Sequence, residues 1–334
     1  MPIPFLFIGI GAGAAALGVG KTVKAGIDQK DANETNSQAQ SIADRATKAA
    51  NRSREASGKA VTDLGKQKIF VLDHSMKPFI ASFEKLHNVE LSNTVGMDEL
   101  QKFRIDKQSL QELKEMSSMA TSLLGGAASG AALGAITAFG AYGGVMAFGA
   151  ASTGTAIATL SGAAATNATL AFLGGGSLAV GGLGMAGGTA VLGGLVAGPA
   201  LAVMGFVLGA KASANRDAAY SNLAKARAYE EEMKTVRTLC SGIRMRATMF
   251  ERLLLKLNAI FEPLVIGLEQ IITENGTDFS RYTPQQKATV AAGLSIAGAI
   301  KAVLDTPILS EDGNLTEESG QILVNTQKVI DQYA

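Results

Sequence analysis

Cysteine, histidine and tryptophan are nearly missing from this chain of 334 residues: Cys240 is the sole cysteine, His74 and His87 are the only histidines, and there is no tryptophan. A single cysteine excludes an intrachain disulfide, and with it a disulfide-stapled secreted scaffold. Two histidines and one thiol leave too few soft ligands for a zinc site. They also remove most routes to nucleophilic or acid-base chemistry. The expectation is a protein that is not an enzyme and carries no metal or cofactor. Lys plus Arg number 30 against 29 Asp plus Glu, so no bulk positive field draws nucleic acid. No motif points to a small-molecule substrate.

Charge is absent over an unusual length. From Met116 to Ala210, 95 residues pass without Asp, Glu, Lys, Arg or His, and 23 of them are glycine. One membrane crossing needs roughly 20 apolar residues, so the block has room for two to four. Leu123 to Phe148 reads as a long apolar helix and Thr155 to Phe172 as a weaker one. Ser177 to Leu195 and Ala200 to Ala210 follow, with breaks at Gly174, Gly175 and Gly176 and again at Gly198 and Pro199. Leu, Ile, Phe and Val each favour the bilayer centre by only roughly 0.3 to 0.6 kcal/mol, so these glycine-diluted helices should depend on neighbours. Gly126, Gly130, Gly134, Gly140 and Gly144, then Gly184 with Gly188 and Gly205 with Gly209, repeat at intervals of four or six. Small residues so spaced let helix backbones approach closely in lipid.

The charges lie in two flanks, giving four expected regions: an apolar N-terminal helix (1–24), charged amphipathic helices (25–115), the uncharged block (116–210) and a C-terminal amphipathic region (211–334). Pro2 to Gly20 is apolar with Lys21 and Lys24 after it rather than before it, the reverse of a secretory signal. It reads as an anchor or insertion segment, with a buried helix as the alternative. Ile42, Ala46, Ala49, Ala50, Ala56, Ala60 and Leu64 form a narrow, mostly alanine stripe that continues through Ile69, Leu72, Phe79 and Phe83. It predicts long helices packed antiparallel. Ser109 with Glu112 reads as a capping box opening a helix through Leu113 and Met116.

After Lys211, the periodicity of Leu223, Met233, Val236, Leu239, Ile243, Phe250, Leu253, Leu254, Leu257 and Phe261 predicts a long helix ended or kinked at Pro263. Another helix should follow to Ile272. Asn275 and Gly276 predict a turn, and Thr283 with Pro284 a cap opening a helix to about Leu304. Asp312 and Gly313 predict a tight turn or small hairpin between Ile308 and Leu315, before a last helix over Glu317 to Tyr333. Lys211, Arg216 and eight further basic residues up to Lys256, against five acidic ones, fit contact with anionic lipid. The alternative is a solvated face balanced by Glu230, Glu231 and Glu232.

Other motifs fail on context. Gly9, Gly11 and Ala14 lack the strand a dinucleotide fingerprint requires, and the glycine expected five positions before Gly20 in a phosphate loop is Ala15. Cys240 reads as a small core residue.

The stretch LSGAAATNATLAFLGGGSLAVGGLGMAGGTAVLGGLVAGPAL, Leu160 to Leu201, resembles a group of uncharacterised bacterial proteins with glycine-rich blocks between charged helical flanks, some labelled "chemotaxis protein". IKAVLDTPILS, Ile300 to Ser310, extends the resemblance into the C-terminal flank. It implies a bacterial source and transfers no site residue. In layout the chain is similar to α-helical pore-forming proteins such as colicin pore domains and the haemolysin E type, where amphipathic helices shelter an apolar hairpin. The reading is an all-α protein whose flanks surround an apolar helical hairpin or multi-helix membrane-active block. The expected function is membrane insertion and permeabilisation as a homo-oligomer, with the lipid membrane as partner. Its location would be the bacterial membrane, or the cytoplasm with conditional insertion. A constitutive multi-span bundle and a soluble helical scaffold are the alternatives.

Overall fold

The computed structural model describes residues 22–89, 107–125, 136–137, 139–141, 216–310 and 314–333, and these are almost wholly helical. The elements are α1 (Thr22–Val71), a π-helical turn (Leu72–Met76), α2 (Lys77–Phe83), α3 (Lys107–Gly125), α4 (Arg216–Asn275), α5 (Pro284–Asp305) and α6 (Glu317–Tyr333), with a 3-10 turn at Phe279–Arg281. The all-α expectation holds. Where a tight turn or small hairpin is expected near the C-terminus, one antiparallel bridge joins Leu309 and Leu315, and Asp312 and Gly313 lie outside the described residues.

These residues form two compact units, one from 22–45 with 216–231 and the other from residue 46 to 141 with 232–333. Each charged flank therefore contributes to both. In the first unit Ala39 and Ile42 pack with Leu223 and Ala226, and Asn222 donates to Asn36 Oδ1 at 3.0 Å. The second unit holds the main core, built on Leu64, Leu72, Phe79, Leu113, Phe250, Phe261 and Ile300.

Within the second unit, Ser53 Oγ donates to the Arg237 carbonyl and the ring of Phe79 meets that of Phe261, so α1–α2 and α4 run parallel. The sequence expectation of antiparallel long helices fails for this pair. Helices joined by a short loop pack antiparallel, but more than a hundred residues separate these two, ample chain to return to the same end. The expectation holds for nearer neighbours. Glu84 and Asp73 meet Lys114 and Thr121 of α3 in reversed order, and Lys68 and Phe79 meet Leu304 and Gly293 of α5 likewise.

Lys68, Leu72, Met76 and Ile80 are buried at strict four-residue intervals. That repeat drifts around an α-helix of 3.6 residues per turn, and the wider π turn restores the register. Along α1, Ile42, Ala46, Ala50 and Leu64 are buried as the stripe predicts, Ala49, Ala56 and Ala60 are half-buried, and Ser57, Gly65 and Lys68 join the buried face.

Three local expectations are corrected. Helix α3 begins at Lys107, so Ser109 sits inside the first turn rather than at the cap, and Glu112 pairs with Lys301. Helix α4 runs through Pro263 to Asn275, so of the two alternatives there the ending, with a separate helix to Ile272, is overturned. The proline is exposed while Leu257, Phe261, Val265 and Leu268 around it are buried, so core packing on the opposite face offsets the roughly 3 kcal/mol an interior proline costs. Leu239 is exposed, whereas its neighbour Cys240 takes the core position.

The caps follow the sequence. Thr283 accepts from the Gln286 amide and Gln286 reaches back to the Thr283 amide, a full capping box with Pro284 in the first turn. Replacing Thr283 with alanine should lower stability by about 1 kcal/mol in urea unfolding, with no change in helix content below the transition. At the end of α4, Gly276 has φ 75° and its amide donates to the Ile272 carbonyl at 3.0 Å, the left-handed turn that Asn275 and Gly276 predict.

Candidate functional site

The described part of the uncharged block inside the second unit is the beginning of a docking arrangement. Met116, Ser117 and Ala120 of α3 are buried, as are Ile136, Phe139, Gly140 and Ala141. The helical residues 136–137 and 139–141 cross α1. Here two glycines face each other reciprocally. A Cβ on Gly65 would overlap the Ile136 carbonyl oxygen, and one on Gly140 would overlap the Val61 carbonyl oxygen. Both obstacles are backbone atoms, so no side-chain rotation relieves them. Beside the crossing the Thr62 and Thr137 hydroxyls are hydrogen-bonded at 2.7 Å.

Lys68 closes the arrangement one turn further along α1. Its side chain is fully buried, and its ammonium donates to the carbonyls of Phe139 and Leu304, each at 3.2 Å. It also lies 5.3 Å from the centroid of the Phe139 ring. Leu304 is in the last turn of α5, where carbonyls have no helical partner and the macrodipole favours a cation. Burial pushes the Lys68 pKa down from 10.5 to about 7, with Asp305 pulling the other way. Asp305 itself is engaged by Lys301 at 2.5 Å, and Lys301 also reaches Glu112 of α3 at 2.8 Å. Partial burial lowers the Lys301 pKa, but Asp305 and Glu112 together more than offset this and leave it above its ordinary value.

On the other side, the Ala141 carbonyl accepts from the amides of Ile308 at 2.8 Å and Leu309 at 3.2 Å. Residues 136–137 and 139–141 are thus fixed by a backbone-close glycine crossing, one buried cation and two amides. The acceptors for Lys68, Ile308 and Leu309 are main-chain carbonyls, so the arrangement positions a segment. Among the described residues no group of three or more His, Cys, Asp or Glu side chains could hold a metal ion.

Of the glycines singled out in the sequence, Gly140 is in this crossing. Gly126, Gly130, Gly134, Gly144, Gly184, Gly188, Gly205 and Gly209 lie outside the described residues, as does Lys211, while Arg216 is the first residue of α4. Gly65 and Lys68 escaped sequence reasoning, which weighed the α1 stripe for alanines. A glycine and a lysine on that stripe were the available signal. By length and composition, one helix among the described residues, α5, could cross a membrane, and 67% of its apolar window is buried inside the second unit. No protein-family model, curated protein or solved structure matches the chain.

Proposed function

We propose that this chain is a membrane-inserting, oligomerising α-helical protein that permeabilises bilayers, of the kind bacteria use as toxins or defence effectors. In this reading the charged flanks hold the uncharged block until a membrane displaces it. The observation that carries it is the seating of residues 136–137 and 139–141 against α1 and the end of α5, because a stretch drawn from the uncharged block rests on helices supplied by both charged flanks. A block so diluted with glycine gains little from lipid alone, so a sheltered state and an inserted state lie close in free energy. The glycine-close contact that packs Gly140 on α1 is also the chemistry by which small-residue faces associate in a bilayer.

Dye release from liposomes tests the proposal. Purified protein should release a small dye and retain a large one, and cross-linking should capture oligomers only when liposomes are present. Replacing Gly130 and Gly134 together with leucine should abolish release by blocking helix approach. Carbonate extraction separates a conditional from a permanent membrane protein, since a permanent bundle stays with the pellet. The packed crossing also suits a soluble helical scaffold; absence of release with the protein remaining free of lipid would favour that reading.

A further inference from the structure

We propose that the outward stripe of α4 between Lys234 and Ile266 is a docking face for an anionic bilayer surface. The inference deepens the membrane reading and rests on it. From Lys234 to Ile266 the exposed positions of α4 carry Lys234, Arg237, Arg244, Arg252 and Lys256 against one carboxylate, Glu262. Glu251, the other acid in that stretch, is half-buried. Arg237, Arg244 and Arg252 make no ion pair among the described residues, so their charge is directed to solvent rather than to a partner helix.

Apolar side chains are interleaved with these cations. Met245, Met249, Arg252, Lys256, Ala259 and Ile266 follow at intervals of three, four and seven, all exposed, and thus form one stripe along the helix. Met245 is 62% exposed, Met249 45%, Leu255 50% and Ile266 51%, although the same helix buries Phe250, Leu254, Leu257 and Phe261 on its inner face. The stripe from Met245 to Ile266 is about 30 Å long at 1.5 Å per residue, with Arg237 and Arg244 along its edge. A basic face of that length, studded with methionine, leucine and isoleucine, matches a surface that offers negative headgroups above hydrocarbon. A nucleic-acid face would instead set aromatic side chains among the cations to stack bases, and the aromatics in this stretch, Phe250 and Phe261, are buried.

The test is co-sedimentation of the full chain with vesicles of equal parts phosphatidylglycerol and phosphatidylcholine, and with phosphatidylcholine alone. Wild type should sediment with the anionic vesicles and be released by salt. Because each basic residue near such a surface contributes about a factor of five, Arg237→Glu, Arg244→Glu and Arg252→Glu together should weaken binding by a hundredfold or more. Met245→Ser with Met249→Ser should weaken it less while retaining the salt dependence. Circular dichroism of each variant checks that the fold persists. Unchanged binding by the folded triple variant, or equal binding to neutral vesicles, would overturn the docking face, as would wild-type sedimentation with an acidic protein or DNA but with neither vesicle. Dye release read in parallel separates this from the broader reading. Leakage that survives loss of the stripe leaves permeabilisation standing without this face, and anionic binding without leakage leaves the face standing without permeabilisation.

Discussion

Replacing Gly65 with alanine will destabilise the protein by about 1 to 3 kcal/mol, the range for overpacking a close-packed core, while the same change at Gly58, on the same helix, will stabilise it. Alanine gains up to about 1 kcal/mol over glycine in a helix interior, and this gain is available at both sites. What decides the sign is the surroundings. A Cβ at Gly58 meets nothing within 4 Å, whereas at Gly65 it overlaps the Ile136 carbonyl, and α1 must move away from residues 136–141 to admit it. Gly140→Ala should act like Gly65→Ala because its Cβ overlaps the Val61 carbonyl. Once one replacement has parted the crossing the second should cost less, so the pair will be less than additive. Urea unfolding of the four variants measures all of this, and a stabilised Gly65→Ala would show that the crossing is looser than described. If the crossing restrains the uncharged block, Gly65→Ala should also release liposome dye at lower protein concentration than wild type, and Gly58→Ala should not.

The second large effect is a gain in stability as pH rises from about 7 to 9. Lys68 is held at about 7 in the folded protein against roughly 10.4 in an unfolded chain. Between these values the unfolded state binds a proton that the folded state does not, so unfolding becomes harder as pH increases. Below about 7 both states are protonated and the cost of the buried charge is present in full. It is relieved progressively above 7 and fully removed once pH exceeds the unfolded value. Over pH 7 to 9 the linkage amounts to about 2 kcal/mol, and Lys68→Met should abolish that increment. Lys301 and Tyr282 both have raised pKa values, so their folded forms titrate above this window. Denaturant midpoints of wild type and Lys68→Met at the two pH values give the comparison, and equal slopes would exclude Lys68 as their source. In the membrane reading, acidification through this window weakens the hold on residues 136–137 and 139–141, so leakage should increase as pH falls from about 9 to about 7 in wild type, level off below that, and lose this dependence in Lys68→Met.

Much of the local architecture was legible in the chain because it depends on neighbours in sequence. Thr283, Pro284 and Gln286 meet within one turn, so their capping box could be read directly. Glu317 to Tyr333 was legible as a helix, and Cys240 as a core residue from its small, apolar residue type, although the periodicity chose its neighbour Leu239. Pro263 misled because proline's local cost was visible while the packing that offsets it, Phe261 and Val265 on the buried face, is a tertiary property. The antiparallel expectation misled similarly: periodicity tells which face of a helix is buried but carries neither its partner nor its direction.

By itself the sequence determined an all-helical protein, its uncharged stretch and the caps and turns of its C-terminal flank, since each rests on composition or on residues a few positions apart. Only the tertiary structure decided that α1 and α4 run parallel, that Gly65 rather than the alanine stripe makes the closest approach, and that Lys68 is buried. The reason is distance along the chain: the carbonyls that receive Lys68 lie 71 and 236 residues away, and a lysine belongs in a core only after folding has brought such acceptors to it.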